Sequence, residues 1–302
     1  MSRALVGGLS DQAQAVVYML VSCIVFTVMW AIIRYTSESV HPALIIFYRT
    51  LFGVVVLLPT LLRGGKGMLR VARPSLYLLR GFFSVMGLYG GFFAVTLIPL
   101  ADVVAITYAA PLFVTVGAIL LLGERLHWRR ILATIIGFIG VMIVLRPGAQ
   151  PLSVGILAAV AGTLGISGAL LTIKVLARTE RPETIVAYAF LMALPVTIAT
   201  AIPVWQWPDL TSLALLILIG AMATVGQVTM TRAFALGEAT AILPLDFSRL
   251  LLAVVLGTLF FGDAIDSFTI TGGLVILAAT VYTAHREARL GRRPLSAGPR
   301  ET

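Results

Sequence analysis

Ten stretches of this chain run for about twenty residues with almost no charge, and that pattern restricts the solvent in which the chain can fold. They are roughly 13–35, 42–62, 75–97, 100–122, 128–146, 152–177, 183–203, 210–234, 239–261 and 266–285. A helix needs about 20 apolar residues to cross a hydrocarbon core of about 30 Å. Lipid offers the backbone no water, so each run must satisfy its own N–H and C=O groups as a helix. Composition agrees, with a mean hydropathy of +1.02, 59% apolar residues and 12% charged. Soluble domains carry about 45–50% apolar and about 25% charged residues. The expected fold class is therefore all-α integral membrane, with ten transmembrane helices joined by short loops. Pro42, Pro74, Pro99 and Pro182 sit at the boundaries, where a missing N–H costs least.

A formal charge of +9 raises nucleic acid as a partner. The placement of the basic residues rejects it and points to the lipid bilayer. With the N-terminus inside, seventeen of the 22 Lys and Arg fall on the cytoplasmic side, in short loops and in the tail. Only Arg34 and Arg146 fall outside, and Arg49, Arg80 and Arg249 fall within spans. This positive-inside bias places both termini in the cytoplasm and supports the count of ten, since one span more or fewer would scramble it. Cys23 is the single cysteine, so no internal disulfide forms. The first apolar run is longer than the core of a signal peptide and reads as a helix that stays.

The chain also resembles itself. A shift of 140 lays Arg34 on Lys174, Pro42 on Pro182 and Tyr48 on Tyr188. A shift of 139 lays Gly81 on Gly220, Gly87 on Gly226, Ala94 on Ala233, Leu97 on Leu236, Glu124 on Asp263 and Tyr108 on Phe247. Five spans per repeat is odd, so the second half must enter the membrane from the opposite face. Two inverted five-helix repeats around a central cavity are expected, over 13–146 and 152–285, with a basic cytoplasmic tail at 286–302. Such inverted repeats belong mainly to secondary transporters, which bind solute near the midplane. Pro111 and Pro244 interrupt the fourth and ninth spans, the equivalent span of each half.

Several segments are familiar: "IPLADVVAITYAAPLFVTVGAILLLGERLHWRRILATIIGFIGVMIVLRPG" (98–148), "FYRTLFGVVVLLP" (47–59), "RPSLYLLRGFF" (73–83) and "GEATAILPLDFSRLLLAVVLGTLFFGD" (237–263). In their order, over about residues 13–287, they resemble the EamA family of the drug/metabolite transporter superfamily. The resemblance implies a ten-helix carrier of small organic solutes in a bacterial inner membrane, its cavity lined by both halves and its fifth and tenth helices peripheral. Family members include amino-acid exporters, aromatic amino acids among their solutes, and uptake carriers for riboflavin or S-adenosylmethionine. Amino acids and related metabolites moved outward are the first expectation for the small-molecule substrate. Uptake of a riboflavin- or S-adenosylmethionine-like metabolite is the second.

Asp246 and Arg249 carry the sharpest site expectation. A charge at a helix centre costs about 2.5–3.5 kcal/mol on insertion scales. Three residues apart, the two share a helix face and reduce that cost by pairing. Lining a wet cavity, Arg249 would hold an anionic group of the solute and Asp246 an amine or a proton, which makes protons the candidate coupling ion. The alternative is a structural pair pinning two helices. Arg49 has no acid in its own span; Arg80, nearer a span end, either serves the site or snorkels. Trp30, Tyr48, Tyr89, Tyr108 and Phe247 are candidate aromatic lining, with Phe82 beside them, and packing is the alternative for each. Tyr108 and Phe247 should face each other across the repeat axis. Gln227 adds a polar group to the eighth span, with Thr231 one turn on. Gly87 with Gly91, and Gly137 with Gly140, read as helix-packing positions.

No phosphate-binding loop is present. His41, His127 and His285 stand singly, without metal-ligand spacing. The chain is therefore expected to be a carrier without cofactor or bound metal, not an enzyme, working as a monomer or weak homodimer. A membrane-embedded enzyme or a ligand sensor is the alternative from another class.

Overall fold

The structure is a computed structural model, and it describes residues 10–63, 73–98, 106–124, 128–145, 153–261 and 267–290. Ten longer helices order the described residues: α1 (Asp11–Thr36), α2 (Pro42–Arg63), α3 (Pro74–Leu97), α4 (Ala110–Leu122), α5 (Trp128–Leu145), α6 (Val154–Leu176), α7 (Pro182–Ala201), α8 (Leu210–Leu236), α9 (Ser248–Phe261) and α10 (Ser267–Leu290). No strand occurs among those residues. Among the described residues, six helical stretches are long and apolar enough to cross a membrane: Asp11–Thr36, Pro42–Arg63, Val154–Leu176, Pro182–Val204, Leu210–Leu236 and Leu243–Phe260. The chain is a membrane protein.

The helix ends follow local chemistry. Ser10 and Ser153 accept hydrogen bonds from Ala13 N–H at 3.4 Å and Ile156 N–H at 3.3 Å, satisfying donors the helix leaves orphaned. Asp209 caps α8 in the same way, accepting from Thr211 N–H at 3.2 Å. A hydrogen bond from the Ser212 side chain, with backbone donors beside it, holds that carboxyl below the usual carboxylate range. Pro42, Pro74 and Pro182 open α2, α3 and α7. Gly123 ends α4 with φ 66°, a left-handed cap that a side chain would strain. Inside the helices, Thr27, Thr50, Thr163 and Ser167 turn their hydroxyls onto the carbonyl four residues back.

Three expected spans differ. The fourth, expected over 100–122, forms α4 only from Ala110, after a turn at Tyr108 and Ala109 beside Pro111. The ninth is broken into a one-turn helix Ala239–Ile242, a 3₁₀ segment Leu243–Phe247 and α9. Pro244 has no N–H to give, and the chain tightens around it. The tenth runs on to Leu290, into the expected tail; the run HREARL consists mostly of good helix formers. The rest of that tail (291–302), the start of the fourth span (99–105), Pro99, Asp263, His127 and the loop residues Lys66, Arg70, Arg125 and Arg146 lie outside the described residues.

The helix neighbours close on themselves. α1 packs on α8, α8 on α2, α2 on α7, α7 on α3, α3 on α6, and α6 on α4. The segment 239–247 packs on both α4 and α1 and completes the ring, while α5 and α10 pair beside it. Close approach between helices depends on glycine. A Cβ on Gly165 of α6 would lie 2.4 Å from Gly87 N of α3, and one on Gly90 would lie 2.7 Å from Gly162 Cα. The contacts also recur crosswise. Gly220 meets Phe52 as Gly81 meets Met192, and Gly226 meets Phe26 as Gly87 meets Ile166.

Candidate functional site

The break at Pro244 puts Asp246 on the last turn of the 3₁₀ segment and Arg249 on the first turn of α9. Arg249 Nε lies 2.8 Å from Asp246 Oδ1. It is an ion pair by distance, but the N–H is not aimed along that line and Nε completes no directed hydrogen bond. The neighbours come from two other helices. On α1, the Cys23 thiol donates to Asp246 Oδ1 at 3.8 Å, and the Arg249 guanidinium carbon sits 4.7 Å from the centroid of the Phe26 ring. On α8, Met230 Sδ accepts from Arg249 Nη2 at 3.8 Å. A guanidinium against an aromatic face gains about 0.5–2 kcal/mol. The Arg249 and Asp246 side chains nevertheless keep 24% and 21% of their surface accessible, although Arg249 lies deep in the bundle. Such a combination describes a group bordering an interior space.

Other expected residues gather near the pair or sit elsewhere. The Tyr108 ring lies 6.4 Å from that of Phe247, tilted by 32°, so the two are neighbours. Phe247 itself is fully buried, packed with Val141, Leu250 and Ile276. A Cβ on Gly137 of α5 would come 2.3 Å from its ring, so Phe247 seals the seam to α5 and α10. Gln227 stands one turn before Met230 on α8, with Oε1 buried and unbonded; the Thr231 hydroxyl is used on its own helix, donating to Gln227 O at 2.7 Å. Trp30 follows Phe26 by one turn on the face of α1 that carries Cys23, yet it is 61% exposed. That face is buried from Ala15 to Phe26 and reaches the molecular surface at Trp30.

Arg49 and Arg80 occupy the walls on either side of α7. The Arg49 guanidinium carbon is 6.0 Å from the centroid of the Phe190 ring on α7. Arg80 is 4% exposed and donates to Ser84 Oγ one turn further into α3, so it does not snorkel back toward the nearer helix end. Tyr48 is buried at the mouth of α2, in a cluster with Phe47, Phe52 and Trp205. The Tyr89 hydroxyl shares a 2.8 Å hydrogen bond with Thr200 of α7. Phe82 is 61% exposed.

One end of the ring is bolted. Lys174 Nζ, almost fully buried, donates to Phe234 O at 2.9 Å and to Gly237 O, which ties α6 to the end of α8. Glu124 Oε1 accepts from Ala239 N–H at 2.9 Å, and Arg232 pairs with Glu183 at 2.5 Å. Arg34, the counterpart of Lys174 under the shift of 140, is exposed at the opposite end.

Sequence reasoning missed Cys23, Phe26, Met230 and Ser248, whose Oγ is buried and unbonded. The only signal was positional: Cys23 and Phe26 stand two turns and one turn before Trp30 on α1.

The EamA-like transporter family matches residues 13–146 and again 153–284. A riboflavin transporter of Rhizobium johnstonii is 30% identical over 294 residues, covering 97% of this chain and 95% of that protein. An S-adenosylmethionine uptake transporter of Rickettsia bellii is 27% identical over 256 residues, covering 85% and 88%. A pseudopaline exporter of Pseudomonas aeruginosa is 28% identical over 263 residues, covering 85% and 90%. One crystal structure aligns at a TM-score of 0.75 with 19% identity, over 92% of this chain and 99% of that one, a likeness of fold.

Proposed function

Because the chain belongs to the EamA-like transporter family, we propose that it is a secondary carrier moving a small organic metabolite across a bacterial inner membrane by alternating access. Two successive family matches and the crosswise glycine contacts support ten spans in two inverted repeats around a central cavity. The excess of basic residues on one side supports cytoplasmic termini. The observation that carries the reading is the Asp246–Arg249 pair, two charges deep in an apolar ring that keep accessible surface. Arg249 binds an anionic group of the solute, and Asp246 an amine or the coupling proton. A ring bolted at one end by Lys174 and Glu124 fits one stage of alternating access better than a channel.

The solute preference shifts from the first expectation. The three relatives above are named for riboflavin, S-adenosylmethionine and pseudopaline, none of them a proteinogenic amino acid. A vitamin- or nucleoside-derived metabolite therefore stands ahead of amino-acid export. Counterflow with the purified chain in liposomes tests the carrier, with riboflavin and S-adenosylmethionine as the first solutes. The expected result is saturable uptake of intact label accelerated by the same solute preloaded inside. Flux without saturation would indicate a channel, chemically altered solute an enzyme, and binding without flux a sensor.

A further inference from the structure

The middle of the bundle holds an excess of positive charge. Among the described residues, Asp246 neutralises Arg249, while Arg49 and Arg80 meet no carboxylate. Arg49 has only the Phe190 ring against it. Arg80 has only Ser84, and its Nε is buried without a partner. An unpaired charge at this depth is costly and is retained where it serves a solute or ion path. Both reach the same level. Arg49 touches α7 at Phe190; Gly81, next to Arg80, touches it at Met192, two residues on and about 3 Å deeper at 1.5 Å per residue. In the ring, α2, α7 and α3 form the wall opposite the 239–247 segment and α9, so Arg49 and Arg80 stand on helices across the ring from the elements that carry Asp246 and Arg249. Neither belongs to the architecture that the repeats share. Under the shifts of 140 and 139 their counterparts are Ala189 and Ile219, and the counterpart of Arg249 is Ala110.

We propose that Arg49 and Arg80 form a second anion-recognition site facing the Asp246–Arg249 pair, and that the carried solute has a net negative charge, as a phosphate monoester or a second carboxylate. The proposal rests on the carrier reading and adds the charge of its solute. Two guanidinium groups, one from each side of α7, suit the several oxygens of phosphate or carboxylate better than one ammonium would. A neutral or cationic solute would leave both arginines uncompensated.

The test needs no knowledge of the solute. The purified full chain is melted in pyrophosphate and in chloride at matched ionic strength, alongside Arg49→Leu, Arg80→Leu and Arg249→Leu. The expected wild-type result is a saturable rise in Tm specific to pyrophosphate, roughly 5 °C at a hundredfold excess over Kd. Arg49→Leu and Arg80→Leu should each lose most of that rise while melting, in chloride, at or above wild type, because each removes an unpaired buried charge. Arg49→Lys should keep part of the rise. Equal melting in the two salts overturns the proposal. So does a rise that survives both leucine variants, or one lost only in Arg249→Leu. Counterflow of riboflavin against riboflavin 5′-phosphate separates this outcome from the carrier reading. Preferred exchange of the phosphate, lost in Arg80→Leu, supports both. Exchange of the neutral member alone, equal in wild type and Arg80→Leu, keeps the carrier and sinks the anion site.

Discussion

Arg249 shows how much one residue in lipid discloses. Its charge is legible in the sequence because a cation amid apolar residues demands a partner, and Asp246 three residues before it is the nearest acid. Its setting is not legible. Phe26, Cys23 and Met230 look like any other helix residues until folding brings α1 and α8 against the 3₁₀ segment. Phe247 shows the opposite failure, since an aromatic next to the charged pair turns away to fill the space that Gly137 leaves. Removing Arg249 alone would strand the Asp246 carboxylate, and orphaning one member of a buried pair costs several kcal/mol. The cleaner variant is Asp246→Asn with Arg249→Gln, which leaves no net charge behind. Its Tm should stay within a few degrees of wild type, while solute Kd from the thermal-shift titration rises at least about tenfold, or about 1.4 kcal/mol. An unchanged Kd would return the pair to a structural role. Asp246→Asn by itself should also flatten the pH dependence of counterflow if that carboxyl carries the coupling proton.

At the scale of elements, apolar length located most of the helices to within a few residues, because lipid enforces the helix wherever the backbone lacks water. Breaks were harder to read. Pro244 was visible, but a proline inside a span either kinks a helix or divides it. Here the 3₁₀ turn holds the 239–247 segment against both α1 and α4, an outcome set by tertiary contact. The glycine seams were half legible. Gly87 and Gly91 stand four apart and read as one packing face, but a Cβ on Gly91 meets nothing within 4 Å, whereas one on Gly87 lies 3.0 Å from Ile166. The true partners, Gly162 and Gly165, come from the other half of the chain. Gly91→Ala should therefore leave expression and Tm near wild type. Gly165→Leu should prevent assembly of the α3–α6 seam, because the obstacle at 2.4 Å is backbone and cannot move aside as a side chain can. Fluorescence-detected size exclusion of the two variants checks this: a single peak for the first, aggregate for the second.

For the whole molecule, two halves were legible in the sequence but their interleaving was not. If one repeat rocked against the other, the surface between repeats should be loose. Instead the glycine-lined packing of α3 on α6 and the long packing of α1 on α8 both join opposite repeats. Tightly packed helices shift poorly past each other, so the bodies this packing favours are α1, α2, α8 and α9 against α3, α4, α6 and α7. They meet where α2 crosses α7, where Lys174 of α6 and Glu183 of α7 bond the end of α8, and where Glu124 bonds Ala239. The two schemes make opposite predictions for one covalent bond. Ser39, after α1, and Ser212, at the start of α8, have hydroxyl oxygens 3.4 Å apart, within the reach of a disulfide. Ser39→Cys with Ser212→Cys, oxidised, ties the first repeat to the second but stays within one of the packed bodies. Counterflow should then proceed at a rate within about twofold of the reduced protein, a barrier change of under about 0.5 kcal/mol. Free-thiol titration would confirm that the bond had closed, with buried Cys23 left unreacted until the protein is denatured. Transport abolished by oxidation and restored by reductant would instead assign the motion to the sequence repeats.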